Sequence, residues 1–360
     1  MTDPNSHSSR AILRRYLAAG YAFLIVYASL SPFTNWQEQG LEFAAVLQSP
    51  LVQTYSWFDA VSNLVAYFPF GLLLGMALRA RLGATLSVLF ASIIGLLLSG
   101  SMEYLQLYLP NRTSSNMDLI TNGLGCLVGA LLAISIVPRA WFSWLTHWHS
   151  QLFRRGHDVD FGLALVFLWM FGQSNPSLPM LGNVFITHLA QQPFAPLPLE
   201  PLDWLESVAV ALNFLMLGGL FLTLLRERRH AVAALMTTLC SIALIKFMTA
   251  AMLLKSWALL LWLNSEALLG IAIGVILLMG LGTISRRKLN LPVASITVLY
   301  LILTNFILDD VAPSAAMPLY QWRYGHLLNY NGLSDTISLI FPLLLLFYVW
   351  RRAQRPTESV

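Results

Sequence analysis

Apolar stretches of about 20 residues recur along the whole chain, and each is long enough to cross the ~30 Å hydrocarbon core of a membrane as a helix. Only 11% of the residues are charged and 57% are hydrophobic, so the polar surface of a soluble protein is missing. The sequence therefore predicts an all-α polytopic membrane protein with about ten transmembrane helices. The predicted spans are residues 14–34, 60–79, 84–109, 116–137, 161–181, 205–225, 231–254, 258–283, 292–311 and 334–351.

The distribution of charge predicts the orientation. Seventeen of the 21 Lys and Arg residues fall in one set of loops and tails, whereas twelve of the 17 acidic residues lie on or near the opposite side. Because Lys and Arg are retained on the cytoplasmic side, both termini are expected in the cytoplasm (N-in/C-in). The net charge of +4 thus reflects topology, and no nucleic-acid partner is expected.

The two cysteines, Cys126 and Cys240, both fall within predicted spans. A disulfide framework or a cysteine-based metal site is therefore not expected, and the sequence predicts no cofactor and no metal. Arg14 and Arg15 precede the first apolar stretch, which is longer than a typical signal-peptide core. We therefore expect this stretch to remain as the first span.

A weak internal repeat organises the chain. Trp57–Val61 aligns with Trp204–Val208, and a four-helix repeat keeps its orientation, so a parallel 4+4+2 arrangement is predicted. The second copy lacks most of the polar residues of the first and is expected to be a degenerate scaffold. The predicted segments are a cytoplasmic tail (1–13), a four-helix unit (14–137), a cytoplasmic interfacial connector (138–160), a second four-helix unit (161–283) and a C-terminal two-helix segment (284–360).

Polar and charged side chains interrupt the apolar sequence of the first unit at helical spacings. Ionisable groups inside spanning helices cost roughly 3 kcal/mol or more each, so they are rare and usually functional. Spacings of three or four residues place the members of each pair on one helix face. We therefore predict a binding cluster at the outer helix ends, formed by Asp59, Asn63, Ser99, Glu103, Gln106, Arg112, Asp118 and Asn122.

The members of this cluster have different alternative roles. Asp59 and Asp118 lie at the starts of spans, where a carboxylate can also cap free backbone N–H groups. Glu103 lies near a helix C-terminal end and needs a partner, for which Arg112 is the nearest candidate in sequence. Arg112 lies in a short linker, so its replacement is expected to leave folding intact. Close helix packing is predicted at two GxxxG pairs, Gly71 with Gly75 and Gly125 with Gly129.

The polar positions resemble the VanZ-like family of membrane proteins over residues 20–137. The motif is Asp59-x3-Asn63-x4-Phe68-Pro69-Phe70-Gly71, followed by Ser99-x3-Glu103-x2-Gln106-x5-Arg112-x5-Asp118-x3-Asn122-x2-Gly125-x3-Gly129. The resemblance implies an enlarged VanZ-like protein with additional C-terminal helices. The family takes its name from a member implicated in low-level resistance to teicoplanin, a lipoglycopeptide. The resemblance therefore implies a cell-envelope role in a bacterial cytoplasmic membrane, without assigning a reaction.

Four functions are compatible with these features. The first is a non-catalytic protein that binds or shields a lipid-linked envelope component, in teicoplanin-type antibiotic resistance or in exopolysaccharide assembly, with Arg112 holding a phosphate or carboxylate. The second is an intramembrane enzyme acting on a lipid or polyprenyl substrate, with Glu103 or Asp118 as general base or with Asp59 at a Mg²⁺ ion. The third is a transporter or flippase. The fourth is a polar network that only fixes helix packing. Membrane lipids or a lipid-linked envelope precursor are the expected partners, and the sequence identifies no protein partner and no catalytic residue.

Overall fold

The computed structural model describes residues 5–31, 33–49, 57–110, 112–136, 147–148, 151–154, 156–186, 202–286, 288–308, 311–321 and 325–354. The side chains of residues 5–11, 58, 59, 157, 325 and 326 lie outside this description. The chain separates into two compact units, the first formed by residues 1–150 and 155–160 and the second by residues 151–154 and 161–360.

Within the described part of the first unit, the chain forms the helices α1 (Asn5–Leu30), α2 (Phe43–Gln48), α3 (Trp57–Gln106) and α4 (Asn116–Ile136). The backbone of α3 breaks at Gly83, where φ is 76° and ψ is −174°, a conformation that favours glycine. Gly71 and Gly95 lie equally far before and after this break, and both face Cys126 of α4. Therefore α3 is a helical hairpin whose first arm (57–82) and second arm (84–106) both pack on α4.

The hydrophobic core of the first unit joins α1, both arms of α3 and α4. Its buried residues are Ile25, Leu30, Tyr67, Phe70, Met102, Leu109 and Cys126. Near the turn of the hairpin, Arg79 donates a hydrogen bond of 3.0 Å to the carbonyl of Ile134, at the C-terminal end of α4. Such carbonyls lack partners within their own helix and attract cationic side chains. Arg79 thus fixes the turn of the hairpin to the C-terminal end of α4.

Four glycines allow the first arm of α3 and α4 to pack closely. A Cβ atom at Gly71 would lie 2.0 Å from the carbonyl oxygen of Cys126, and one at Gly129 would lie 2.1 Å from that of Phe68. The same atom at Gly125 would lie 2.3 Å from the Leu64 carbonyl oxygen, whereas at Gly75 it would lie 3.1 Å from the Ala133 Cβ. Backbone therefore meets backbone at this interface, as GxxxG pairs permit.

Among its described residues, the second unit contains most of α5 (His157–Gln173) and five further α-helices. They are α6 (Trp204–Leu224), α7 (Ala231–Leu253), α8 (Ser265–Thr283), α9 (Asn290–Ile302) and α10 (Gly325–Ala353). Asp203 caps α6 by accepting hydrogen bonds from the backbone of Leu205 and Glu206, and Asn264 caps α8 in the same way. Nearly all of α6 is buried, and it packs most extensively against α8.

Seven helices among the described residues are long and apolar enough to cross a membrane, which confirms the all-α polytopic membrane class. The first of them, Ala60–Gln106, contains two predicted spans because Gly83 divides it. The helices α1 and α5 are not among the seven. The span predicted at 161–181 also ends early, since α5 stops at Gln173 and an irregular segment, 174–186, follows. The total of ten spans stays a prediction.

Glycine contacts between helices also occur in the second unit. A Cβ atom at Gly270 of α8 would lie 2.5 Å from the Ser207 carbonyl oxygen, and one at Gly274 would lie 2.8 Å from the Phe214 ring. Each unit therefore packs a glycine pair against another helix. That helix begins at Trp57 in the first unit and at Trp204 in the second unit. The parallel repeat itself stays a prediction, and the C-terminal segment 284–360 lies within the second unit.

Candidate functional site

Two side-chain hydrogen bonds connect α4 to the two arms of α3. The Asn63 Nδ2 atom donates to Asp118 Oδ1 at 2.5 Å, which connects the first arm to α4. The Asn122 Nδ2 atom donates to Ser99 Oγ at 3.0 Å, which connects the second arm to α4. We refer to the cluster around these bonds as the polar site, formed by Asn63, Tyr67, Ser99, Glu103, Asp118 and Asn122.

Glu103 is the buried acid of the polar site, with 4% of its surface exposed. Its Oε2 atom accepts a hydrogen bond of 2.9 Å from the backbone N–H of Ser115, directly before α4 begins. The hydroxyl of Ser114 also faces this carboxylate. Free N–H groups and the dipole at a helix N-terminus both favour a carboxylate there. Glu103 thus stabilises the start of α4, although it belongs to another helix.

From the sequence we expected Arg112 to be the partner of Glu103. The structure instead places Arg112 at the end of α1. Its Nη2 atom donates to the carbonyls of Ala28 at 2.9 Å and Ser31 at 3.2 Å. Gln106 likewise donates to the Ser29 carbonyl at 3.1 Å. These carbonyls end α1 and have no partner within that helix, so the guanidinium caps the C-terminal end of α1. Burial lowers the pKa of the Arg112 guanidinium, which nevertheless stays charged at neutral pH.

Two buried polar atoms of the site make no hydrogen bond within the described part of the chain. They are the Tyr67 hydroxyl and Asn122 Oδ1, in residues that are 4% and 5% exposed. The Tyr67 hydroxyl lies beside Ser99 and close to Glu103 and Asp118. Leaving such an atom unpaired costs about 1–3 kcal/mol, and in native proteins it indicates a water, ion or ligand. The polar site therefore contains two buried hydrogen-bonding atoms that the described residues leave without a partner.

The segment 33–49 is hydrogen-bonded to the helix ends next to the polar site. The backbone N–H of Gln37 donates to the Tyr108 carbonyl, and Gln39 Nε2 donates to the Leu107 carbonyl, both at 2.9 Å. The first residue of α4, Asn116, donates to the Ser49 carbonyl at 2.7 Å. This segment is therefore fixed to the ends of α3 and α4.

Asp59 belongs to the first turn of α3, but its side chain lies outside the described residues. Its membership of the cluster stays a prediction. Among the described side chains, no group of three or more His, Cys, Asp or Glu residues could hold a metal ion. A Mg²⁺ site involving Asp59 stays a prediction for the same reason.

The second unit contains a buried polar network that the sequence analysis missed. Lys246 of α7 is fully buried, and its Nζ atom donates to the carbonyls of Asn175 at 2.6 Å and Leu178 at 2.9 Å. Both carbonyls belong to the irregular segment 174–186. The signal was present, because a lysine inside a span is rare and needs acceptors that replace water.

Other polar side chains hold the same segment. Asn175 Nδ2 donates to Asn331 Oδ1 at 2.9 Å, and the hydroxyl of Tyr320 donates to the same oxygen at 2.5 Å. Burial raises the pKa of Tyr320 to about 12, so this hydroxyl keeps its proton. Asn213 donates to the Leu181 carbonyl at 2.7 Å, and Leu181 has a φ of 61°. Irregular backbone is tolerated in a membrane protein where protein buries it, as here.

Comparison with known proteins agrees with the motif in the first unit. Residues 6–138 match the model of the VanZ/LLP1 family, and this range contains every residue of the polar site. No curated protein and no solved structure matches the chain. Over this range the chain is similar to the VanZ/LLP1 family, which agrees with the resemblance of its polar motif, and the similarity indicates a membrane protein linked to glycopeptide resistance or to the cell envelope.

Proposed function

We propose that this VanZ-like membrane protein binds a lipid-linked component of the bacterial cell envelope at its polar site, on the outer side of the cytoplasmic membrane. The unpaired Tyr67 hydroxyl and Asn122 Oδ1 carry the proposal, because a network built only for packing would pair its buried polar atoms. Binding would shield or present the component, in glycopeptide resistance of the teicoplanin type or in surface-polysaccharide assembly.

The surroundings of the polar site suit a ligand with an apolar chain. Exposed apolar side chains flank Asn63 and Asn122 on their own helices; they are Val61, Val65, Ile120 and Leu124. Residues two apart lie on different faces of a helix, so these side chains form the lipid-facing side of both helices, and the acyl or prenyl chain of a bound ligand would extend into that lipid phase. The distribution of Lys and Arg supports an outer location, since Arg79 lies at the opposite end of the hairpin.

A structural role for the polar site is the second candidate function. It is favoured by the hydrogen bonds that cross between helices, from Asn63 to Asp118 and from Asn122 to Ser99. The two functions differ in what they predict for a variant that keeps every bond between helices but changes the charge of the site.

Lipid analysis of the purified protein tests the proposal. Wild type, Glu103→Gln and the control Glu42→Gln are extracted with their surrounding lipid, and the bound lipids are quantified by mass spectrometry. Gln at position 103 still offers an oxygen to the Ser115 N–H, and Glu42 is an exposed acid of the same unit. We expect wild type and Glu42→Gln to be enriched in one lipid class over the bulk membrane, and Glu103→Gln to lose the enrichment while remaining folded. A wild-type lipid composition equal to that of the membrane would refute the proposal.

A further inference from the structure

The chemistry of the polar site identifies the kind of group that it binds. The groups that act on Glu103 are the Ser115 N–H, the Ser114 hydroxyl and the Asp118 carboxylate. Arg112, the basic residue that the sequence placed in the site, donates to the end of α1 instead. Glu103 is therefore buried beside another acid, and no described cationic side chain is paired with it.

The polar site offers acceptors on three of its side chains. The Asn122 amide nitrogen already donates to the Ser99 hydroxyl, so the Oδ1 atom of Asn122 is the one that remains available as an acceptor. The Glu103 carboxylate uses Oε2 for Ser115 and can accept further bonds, since a carboxylate has about four acceptor positions. The Tyr67 hydroxyl can accept as well as donate. Three different side chains thus offer acceptors to one incoming group.

We propose that the polar site binds a primary ammonium group, carried by the head group of a membrane lipid or lipid-linked envelope component. This inference rests on the proposed function, because it names the chemistry of the ligand at the same site. A primary ammonium has three N–H donors, which match in number the acceptors on Tyr67, Glu103 and Asn122. Its hydrogen bonds to a carboxylate are charge-assisted and roughly twice as strong as neutral ones.

Anionic groups fit the site poorly. A phosphate or carboxylate placed there would be repelled by Glu103 and Asp118 in surroundings of low dielectric constant. It would also need donors, and of the two unpaired atoms only the Tyr67 hydroxyl could donate to it, whereas Asn122 Oδ1 is an acceptor. A quaternary ammonium keeps the positive charge but has no N–H group. The number of N–H groups on the head group therefore separates the proposed ligand from its nearest analogues.

A competition between lipids tests the ammonium proposal. The full-length protein is placed in nanodiscs containing equal amounts of phosphatidylethanolamine, phosphatidylcholine and phosphatidylglycerol with the same acyl chains, and retained lipids are counted by native mass spectrometry. We expect wild type to retain phosphatidylethanolamine over each of the others by about tenfold. Glu103→Gln should retain the three equally and unfold at the wild-type temperature, and Glu42→Gln should behave as wild type.

The other outcomes separate this inference from the function on which it rests. A wild-type preference for phosphatidylglycerol, or an equal preference for the choline lipid, would overturn the ammonium proposal and leave lipid binding intact. Loss of the ethanolamine preference on addition of EDTA would assign the cation to a metal and also overturn it. Equal retention of the three lipids by wild type would also overturn the ammonium proposal, whereas the function on which it rests is overturned only if the lipids co-purified from the cell membrane show no enrichment.

Discussion

The Glu103 carboxylate accepts a hydrogen bond of 2.9 Å from the Ser115 N–H, so an acid at the end of one helix holds the start of the next. Ser115 is the last residue of the linker between the second arm of α3 and α4, and this linker also contains Arg112. The bond therefore joins the second arm of α3 to the start of α4. Glu103 therefore has a role in folding that is separate from the binding role proposed for it. Alanine and glutamine substitutions distinguish the two roles.

Glu103→Ala removes the acceptor for the Ser115 N–H and is expected to lower the free energy of unfolding by about 1–3 kcal/mol. Glu103→Gln keeps an oxygen acceptor and the side-chain volume, so its unfolding free energy should stay within about 0.5 kcal/mol of wild type. Unfolding in mixed micelles by increasing SDS measures both. If glutamine destabilises as much as alanine, the charge of Glu103 is itself needed for folding.

Arg112→Ala is expected to destabilise the protein, which reverses the expectation from sequence. The guanidinium donates to the carbonyls of Ala28 and Ser31, and its loss exposes the end of α1 without a cap. We expect a loss of about 1–3 kcal/mol, with Arg112→Lys restoring part of it because an ammonium also donates. Accumulation and SDS unfolding of Arg112→Ala equal to wild type would show that the cap contributes nothing.

Gly129→Ala tests the backbone contact between α4 and the first arm of α3. Its Cβ would lie 2.1 Å from the Phe68 carbonyl oxygen, and backbone cannot yield as a flexible side chain can. We expect a loss of about 1–3 kcal/mol or failure to fold. Gly280→Ala in α8 is the matched control, because open space surrounds that glycine and alanine gains about 0.5–1 kcal/mol within a helix. Equal unfolding curves for both variants would argue against the close contact.

Lys246→Met should destabilise the second unit. The methionine fills the volume but leaves the carbonyls of Asn175 and Leu178 without their donor, at about 1–3 kcal/mol for each buried group. Lys255→Met, at an exposed lysine that follows the same helix, is the control and should be neutral. Limited proteolysis within segment 174–186 reports the effect. Unchanged protection of this segment in Lys246→Met would mean that other contacts hold it.

The helices of the first unit could largely be predicted from sequence, because hydropathy and residue spacing are local properties. The two arms of α3, the start of α4 and the glycine pairs follow from such patterns. The end of α5 at Gln173 was missed because the next residues are nearly as apolar as a span, although Pro176 and Pro179 argue against a helix there.

The partners of the polar residues could be predicted only in part. Helical spacing places Ser99 and Glu103 on one face, but it gives no information about which helix lies opposite. The bonds from Gln106 and Arg112 to α1 depend on tertiary packing of residues far apart in sequence. Tyr67 was missed because a tyrosine in an apolar helix resembles an ordinary aromatic core residue, and only its unpaired hydroxyl distinguishes it.

Tyr67→Phe tests most directly whether the polar site binds a ligand or only joins helices. The Tyr67 hydroxyl makes no hydrogen bond within the described residues, so its removal leaves every bond between helices in place. The control is Tyr104→Phe, which removes an exposed hydroxyl 3.1 Å from that of Tyr108. The measurement is bound lipid per folded protein, with unfolding recorded on the same samples. We expect Tyr67→Phe to unfold like wild type, or at higher SDS, and to lose the lipid enrichment that Tyr104→Phe retains; full lipid enrichment in Tyr67→Phe would contradict ligand binding at the polar site.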